Sequence, residues 1–289
     1  MIASEKVKYS AKECIDAFCE KMNERAQKYG MTDTLFRDPC GVNNTSSASD
    51  LMRLLVQASA YTELYDIWGA PSHIVDVAGK NARKQEVVST VVSAPDSHVL
   101  YDSYKIVGGK TGTLNRYSAF NLAVITEDAD KNRYACAILY ADEPNGSEKN
   151  RFEAARSAME AALEGKGEAC AQSASVCRLP KGLERGQVPT LSTLYEKGAH
   201  IQCQPASTSK LMTAILTLEC FENLDTELEF TEELISVIPA GFFGKDFFDG
   251  DKISLRDAFY AMLLPSSNVC SYLLAQYVGG VILEAKENK

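Results

Sequence analysis

A chain of 289 residues, 45% hydrophobic and 24% charged, has the composition of an ordinary globular protein and is long enough to bury a large core as one big domain or two small ones. A net charge of −9 leaves no basic footprint and argues against a nucleic-acid partner. No apolar run reaches membrane-spanning length and the opening "MIASEKVKYSAKE" lacks a signal-peptide core, so neither a transmembrane segment nor an export signal is expected.

In chain order, "YSAKECIDAFCEKMNERAQKYG" carries apolar residues at helical spacing and predicts a helix over 9–30 that stops at Gly30. After the turn-rich "RDPCGVNN", "TSSASDLMRLLVQASA" predicts a capped second helix. From about residue 100 the period changes. "SYKIVGGKTGT", "SAFNLAVIT" and "YACAILYAD" predict an antiparallel meander, and "SEKNRFEAARSAMEAALEGKG" an amphipathic helix beginning after Gly146. "SASVCRL" and "STLYEKG" are candidate strands, and "QPASTSKLMTAILTLE" is a helix apolar nearly all round except for Lys210. Finally "GDKISLRDAFYAMLLPSSNVCSYLLAQYVGG" reads as two helices interrupted at Pro265. The helical segments at both ends are expected to join and bury their apolar faces, with a sheet of about five strands between them.

Nine cysteines without a tight spacing pattern predict mostly buried thiols and no disulfide framework. The close pairs Cys14/Cys19 and Cys170/Cys177 have no histidines beside them, so no metal and no cofactor is expected. His73, His98 and His200 sit in polar contexts, read as surface positions, and give no Ser-His-Asp triad.

Three short motifs carry chemistry. Ser207 lies three residues before Lys210, so the two share a helix face and the amine can reach the hydroxyl. Burial lowers a lysine pKa, and a neutral amine beside a serine makes a nucleophile. Ser266 and Asn268 fall on the interhelical turn, and Lys110-Thr111-Gly112 on a strand. Each has a plainer reading: Ser207 as a helix cap before a snorkelling Lys210, Ser266 as a cap, Asn268 as a turn residue, Lys110 as a solvated edge-strand charge. The coincidence of all three motifs tells against the plain readings taken together.

With these motifs the chain resembles the serine-type D-alanyl-D-alanine carboxypeptidases, the low-molecular-mass penicillin-binding proteins. The segments "LYEKGAHIQCQPASTSKLMTAILTLE", "GDKISLRDAFYAMLLPSSNVCSYLLAQYVGG", "FCEKMNERAQKYGMTDTLFRDPCGVNN" and "IVGGKTGT" all look like family segments and cover roughly two thirds of the chain. The resemblance implies a β-lactamase-like α/β fold in one catalytic domain, 1–289, with a helical lobe over about 1–95 and 215–289 and a sheet lobe over about 96–214. It implies Ser207 as nucleophile, Lys210 as general base, Ser266 as proton shuttle and Asn268 as a substrate ligand. Lys110, Thr111 and Thr113, around Gly112, would hold the terminal carboxylate, and the amides of Ser207 and Thr113 would form the oxyanion hole. The implied partners are a peptidoglycan stem peptide ending in D-Ala-D-Ala and β-lactam antibiotics. The implied location is outside the cytoplasm, although the missing export signal leaves a cytoplasmic alternative.

The motif order differs from the family's, in which K-T-G comes last. Ser207 and Ser266 are 59 residues apart, as in the family, but Lys110 follows Asn268 only through the chain ends, a path of 131 residues. The sequence therefore looks circularly permuted, with the family's ends joined near "LEGKGEACAQ". A second departure is the insert "PKGLERGQVPTLST" before "LYEK", which puts the sheet edge beside the active site in question. The competing readings are a β-lactamase, for which Glu20 is the nearest water-activating candidate, an esterase of the same fold, and a penicillin-binding scaffold or engineered permutant without turnover.

Overall fold

The computed structural model describes residues 8–114, 119–141, 150–240 and 246–288. The first helix, α1 (Ala11–Lys28), starts in a capping box: the Ser10 hydroxyl accepts from the Glu13 amide and the Glu13 carboxylate accepts from the Ser10 amide. It ends just short of Gly30. Ser47 caps α2 (Ala48–Ala58), and α3 (Thr62–Trp68) follows directly. Both predicted helices are present with boundaries shifted by two or three residues.

The next segment departs from expectation. β1 (Ser72–Gly79) and β2 (Arg83–Val88) form a hairpin that pairs with two short strands from the other end of the chain, β8 (Glu227–Glu229) and β9 (Asp251–Ser254), in the order β2-β1-β9-β8. A short α4 (His98–Tyr101) then leads into the main sheet. Its five strands, β3 (Lys105–Leu114), β4 (Ala119–Glu127), β5 (Arg133–Ala141), β6 (Ala171–Arg178) and β7 (Ser192–Lys197), are antiparallel and lie side by side in chain order.

Alternation along these strands feeds two cores. Ala123, Ile125, Ala135, Ala137 and Cys177 face a core shared with α1, α2 and the C-terminal helices. Leu122, Val124, Cys136, Ile138 and Val176 face the opposite one, closed by α5 (Asn150–Glu164) through Phe152, Ala155 and Met159. Burial on both faces is why β4 and β5 read as continuous apolar runs. The predicted start of α5 after Gly146 lies outside the described residues.

After a 3₁₀ turn at Ala206–Ser209 come α6 (Lys210–Cys220), β8 (Glu227–Glu229), α7 (Glu232–Val237), β9 (Asp251–Ser254), α8 (Leu255–Leu263) and α9 (Asn268–Glu287). "GDKIS" is thus strand β9 before α8, and the helix break spans Leu264–Ser267 around Pro265. The insert after β6 joins β6 to β7, at the edge farthest from β3, and leaves at the Arg178 end of the sheet, opposite Thr113. It does not border the K-T-G strand, so the doubt it raised about the edge beside the active site is removed.

α1 packs along α9, and Lys8 pairs with Glu287, so the described ends of the chain meet. The helices cross closely because Gly279 is buried against α1: a Cβ there would stand 1.9 Å from the Cys14 carbonyl oxygen. Gly to Ala in a helix ordinarily gains about 1 kcal/mol. Here the overlap reverses the sign, and Gly279→Ala should lower unfolding stability by about 1–3 kcal/mol in chemical denaturation. An unchanged or raised midpoint would show that the crossing has slack.

Candidate active site

Lys210 is fully buried at the start of α6, and its Nζ lies 2.8 Å from Ser207 Oγ, 2.7 Å from Asn268 Oδ1, 3.2 Å from Ser266 Oγ and 3.2 Å from the Cys40 carbonyl oxygen. The snorkelling reading fails, because no part of Lys210 reaches solvent. Burial lowers its pKa to about 8, with Cys40, Asp38, Cys270 and Asp246 acting in the opposite direction. A neutral lysine has two N–H groups and one lone pair. Asn268 Oδ1 and Cys40 O can only accept, so they take the two N–H groups, and the lone pair is left to a hydroxyl that can donate. Ser207, half-buried at the cleft, is the nearer.

The turn that presents Ser207 is not an ordinary helix start. Ser207 sits in the 3₁₀ turn and does not cap α6, and the residue before it, Ala206, has φ +52°. Ser266 likewise has φ +75°. Left-handed backbone at a non-glycine residue costs on the order of 1–3 kcal/mol, and here it adjoins both motif serines. The cap of α9 is Ser267, whose hydroxyl accepts from the Cys270 amide and donates to Asp246. Ser266 is thereby free of the capping role, and its hydroxyl points to Lys210.

Lys110 is fully buried, which rules out the solvated-charge reading. Its pKa is driven well below that of a free lysine by burial, then by repulsion from Lys210 and Arg151. The repulsion between the two lysines is felt at Lys110, whereas at Lys210 burial is the cause of the shift. Gly112 lies against the Ser207 turn, near Pro205 O and Ala206, and Asn121 Nδ2 ties β4 to the same turn by donating to Gln204 O at 2.8 Å. Residues predicted from three distant stretches of chain therefore meet at the Ser207 turn: Ser207, Ser266 and Asn268 on the Lys210 amine, and Gly112 of the K-T-G strand against Pro205 and Ala206.

Three contributors carry no sequence motif. Arg151, 2% exposed on α5, donates to Thr113 Oγ1 at 2.8 Å and places a guanidinium at the K-T-G strand. The loop 38–44 walls the cleft: Asp38 accepts from the amides of Cys40, Gly41, Val42 and Asn43, and Thr213 donates to Pro39 O at 2.7 Å. Gly41, at φ +101°, lets this loop touch the turn, since a Cβ there would fall 1.8 Å from Ala206 O. The third is Thr90. Its hydroxyl donates to Leu264 O at 3.1 Å and lies 2.7 Å from Thr111 Oγ1, which must then supply the proton between them.

Thr90 thus bolts the K-T-G strand to the segment entering the Ser266 turn. Thr90→Val should lower kcat/KM for D-alanine release about 10- to 100-fold, with Thr90→Ser near the native value, since small misplacements of a catalytic group are costly. A Val variant of native activity would remove Thr90 from this role.

His73 is not simply a surface residue: it bonds Asp257 at 2.7 Å and stacks on Tyr260. His98 and His200 are exposed. All nine cysteines are free thiols and six are buried. Glu20, the candidate water activator, faces outward on α1 in an ion pair with Lys286.

The family model of the peptidase S11 D-alanyl-D-alanine carboxypeptidases matches residues 11–142, slightly under half of the chain. Over those residues the chain is similar to this carboxypeptidase family. No curated protein and no solved structure matched. The carboxypeptidase match takes in α1, the Asp38 loop and the K-T-G strand and stops before Ser207. The chain is a hydrolase of the D-Ala-D-Ala carboxypeptidase type, and its antiparallel sheets and helices agree with the family fold. Among the described residues, no helix of this carboxypeptidase is long and apolar enough to cross a membrane, and no cluster of His, Cys, Asp or Glu could hold a metal.

Proposed function

We propose that the carboxypeptidase removes the terminal D-alanine of peptidoglycan stem peptides, outside the cytoplasm, through an acyl-enzyme on Ser207. The observation that carries this reading is the buried Lys210 amine, 2.8 Å from Ser207 Oγ with two acceptor-only oxygens on its N–H groups. Lys210 takes the Ser207 proton as Oγ attacks the carbonyl between the two D-alanines. The protonated amine returns a proton through Ser266 to the departing D-alanine nitrogen, and water later attacks the ester to regenerate Ser207.

Asn268 orients Lys210 and the substrate, and the amides of Ser207 and Thr113 hold the developing oxyanion. Lys110 and Arg151 supply positive charge for the substrate's terminal carboxylate beside Thr111 and Thr113, and an arriving carboxylate favours the protonated form of Lys110. A β-lactam carries a strained amide and a carboxylate in a similar arrangement, so the same residues hold it while Ser207 Oγ attacks the lactam carbonyl, the lactam C–N bond opens and Ser207 is left acylated.

The whole forms one catalytic unit of a helical and a sheet lobe, in circularly permuted order. Support for the permutation is that the family match covers the K-T-G half first, and that α9 runs beside α1, the pairing a family chain would make in direct succession. The test of the function is release of D-alanine from a diacyl-L-Lys-D-Ala-D-Ala peptide. Release from this peptide and not from its L-Ala-L-Ala isomer is the expected result, and no release from either would overturn the reading.

A further inference from the structure

We propose that the cavity beneath the 180–193 insert is a binding site for a small phosphate-bearing ligand, separate from the catalytic cleft. Its volume of about 600 Å³ is that of a small-molecule site. Lys131, Arg133, Arg178 and Lys181 line it and no aspartate or glutamate does, in a chain whose net charge is −9. Two carboxylates neighbour it: Glu127 is shared by Arg133 Nε at 3.0 Å, Lys131 at 3.2 Å and Lys105 at 3.9 Å, and Asp128 accepts from the Asn132 amide at 2.8 Å and from the Tyr134 hydroxyl at 2.9 Å, so the four lining cations still leave an excess of positive charge. Among the described residues, Arg178 and Lys181 pair with no carboxylate.

The walls are held in place. Arg133 lies over the Tyr65 ring and Arg178 over Tyr134, which orients both guanidinium forks. The insert is pinned to the helices by Gln57 Nε2, which donates to Gln187 O at 2.9 Å, and by the Arg185–Glu63 ion pair. Two planar forks and two ammonium groups exceed what a single carboxylate needs and suit the several oxygens and double charge of a phosphate. The site opens at the Lys105 end of the sheet, eight residues and about 25 Å along β3 from Thr113, so its occupant does not compete with the stem peptide.

Isothermal titration of the full chain with inorganic pyrophosphate at low salt should show one site per chain. Arg178→Gln/Lys181→Gln should weaken it at least tenfold without changing D-alanine release, while Lys166→Gln, at an exposed position on α5's C-terminal side, leaves binding intact. Tight binding to phosphatidylglycerol vesicles, lost in the same double variant, would identify a lipid headgroup as the source of the phosphate, and binding of glycerol 3-phosphate alone a soluble one. Absence of binding to all three probes, equal binding by the double variant, or citrate binding as tightly as pyrophosphate would overturn the proposal.

Discussion

Lys210→Met should lower kcat/KM for D-alanine release by about 10²- to 10⁴-fold, the range expected for loss of a positioned general base. Methionine fits the buried channel without a charge, so the thermal midpoint tests folding independently. Lys210→Arg should be as inactive, because a guanidinium keeps its proton at any usable pH. In the native protein kcat/KM should rise about tenfold per pH unit up to about pH 8 and then level off, since the neutral amine is the active form and its pKa is lowered to about 8. The same shift sets the stability. Between about pH 8 and the free-lysine value of 10.5 the unfolded chain holds a proton that the folded chain has lost, so stability rises with pH across that window, and the penalty of the buried ammonium is complete below it. A flat rate profile from pH 6 to 9, or an Arg variant of native activity, would leave Lys210 with a structural role only.

Ser207→Ala should lower D-alanine release by about 10⁴-fold or more while leaving the fold unchanged. The side chain is half-buried and its loss opens no core cavity, and the turn remains held by Thr208, whose hydroxyl donates to Pro205 O at 2.7 Å. What remains in Ser207→Ala is a cleft that binds the peptide without attacking it. Its affinity for a D-Ala-D-Ala peptide should therefore survive. Substantial release by this variant would mean that another group is the nucleophile.

The main sheet was legible in the sequence because β4 and β5 are buried on both faces and stand out as apolar runs, and α1 and α2 because their periodicity begins at capping serines. The small sheet was not. Its hairpin strands β1 and β2 bury only Val75, Val77 and Val87, and β8 and β9 are three and four residues long, so they exist by pairing across the fold and not by local preference. In the site, Ser207, Lys210, Ser266, Asn268 and Lys110 could be read because their residue types recur at short fixed spacings. Thr90, Arg151 and the Asp38 loop had no such signal: each acts through a contact made across the tertiary structure, where a threonine, a helix-borne arginine or an Asp-Pro turn looks ordinary along the chain. The roles of Ser266 and Ser267 could be told apart only by the hydrogen bonds, since adjacent serines before a helix are equivalent as sequence.

The central claim is that Ser207 is the nucleophile, and a β-lactam tests it most directly. The acyl-enzyme retains the rest of the drug, and the one carboxylate considered for activating water, Glu20, is turned outward on α1. Acylation should thus be quick and deacylation slow. Intact-protein mass spectrometry after brief exposure to benzylpenicillin should show one long-lived adduct with the mass of a single drug molecule, mapped by digestion to the peptide containing "PASTSK" and absent in Ser207→Ala. An adduct that persists in Ser207→Ala, or rapid turnover of the drug with no adduct on Ser207, would contradict this account.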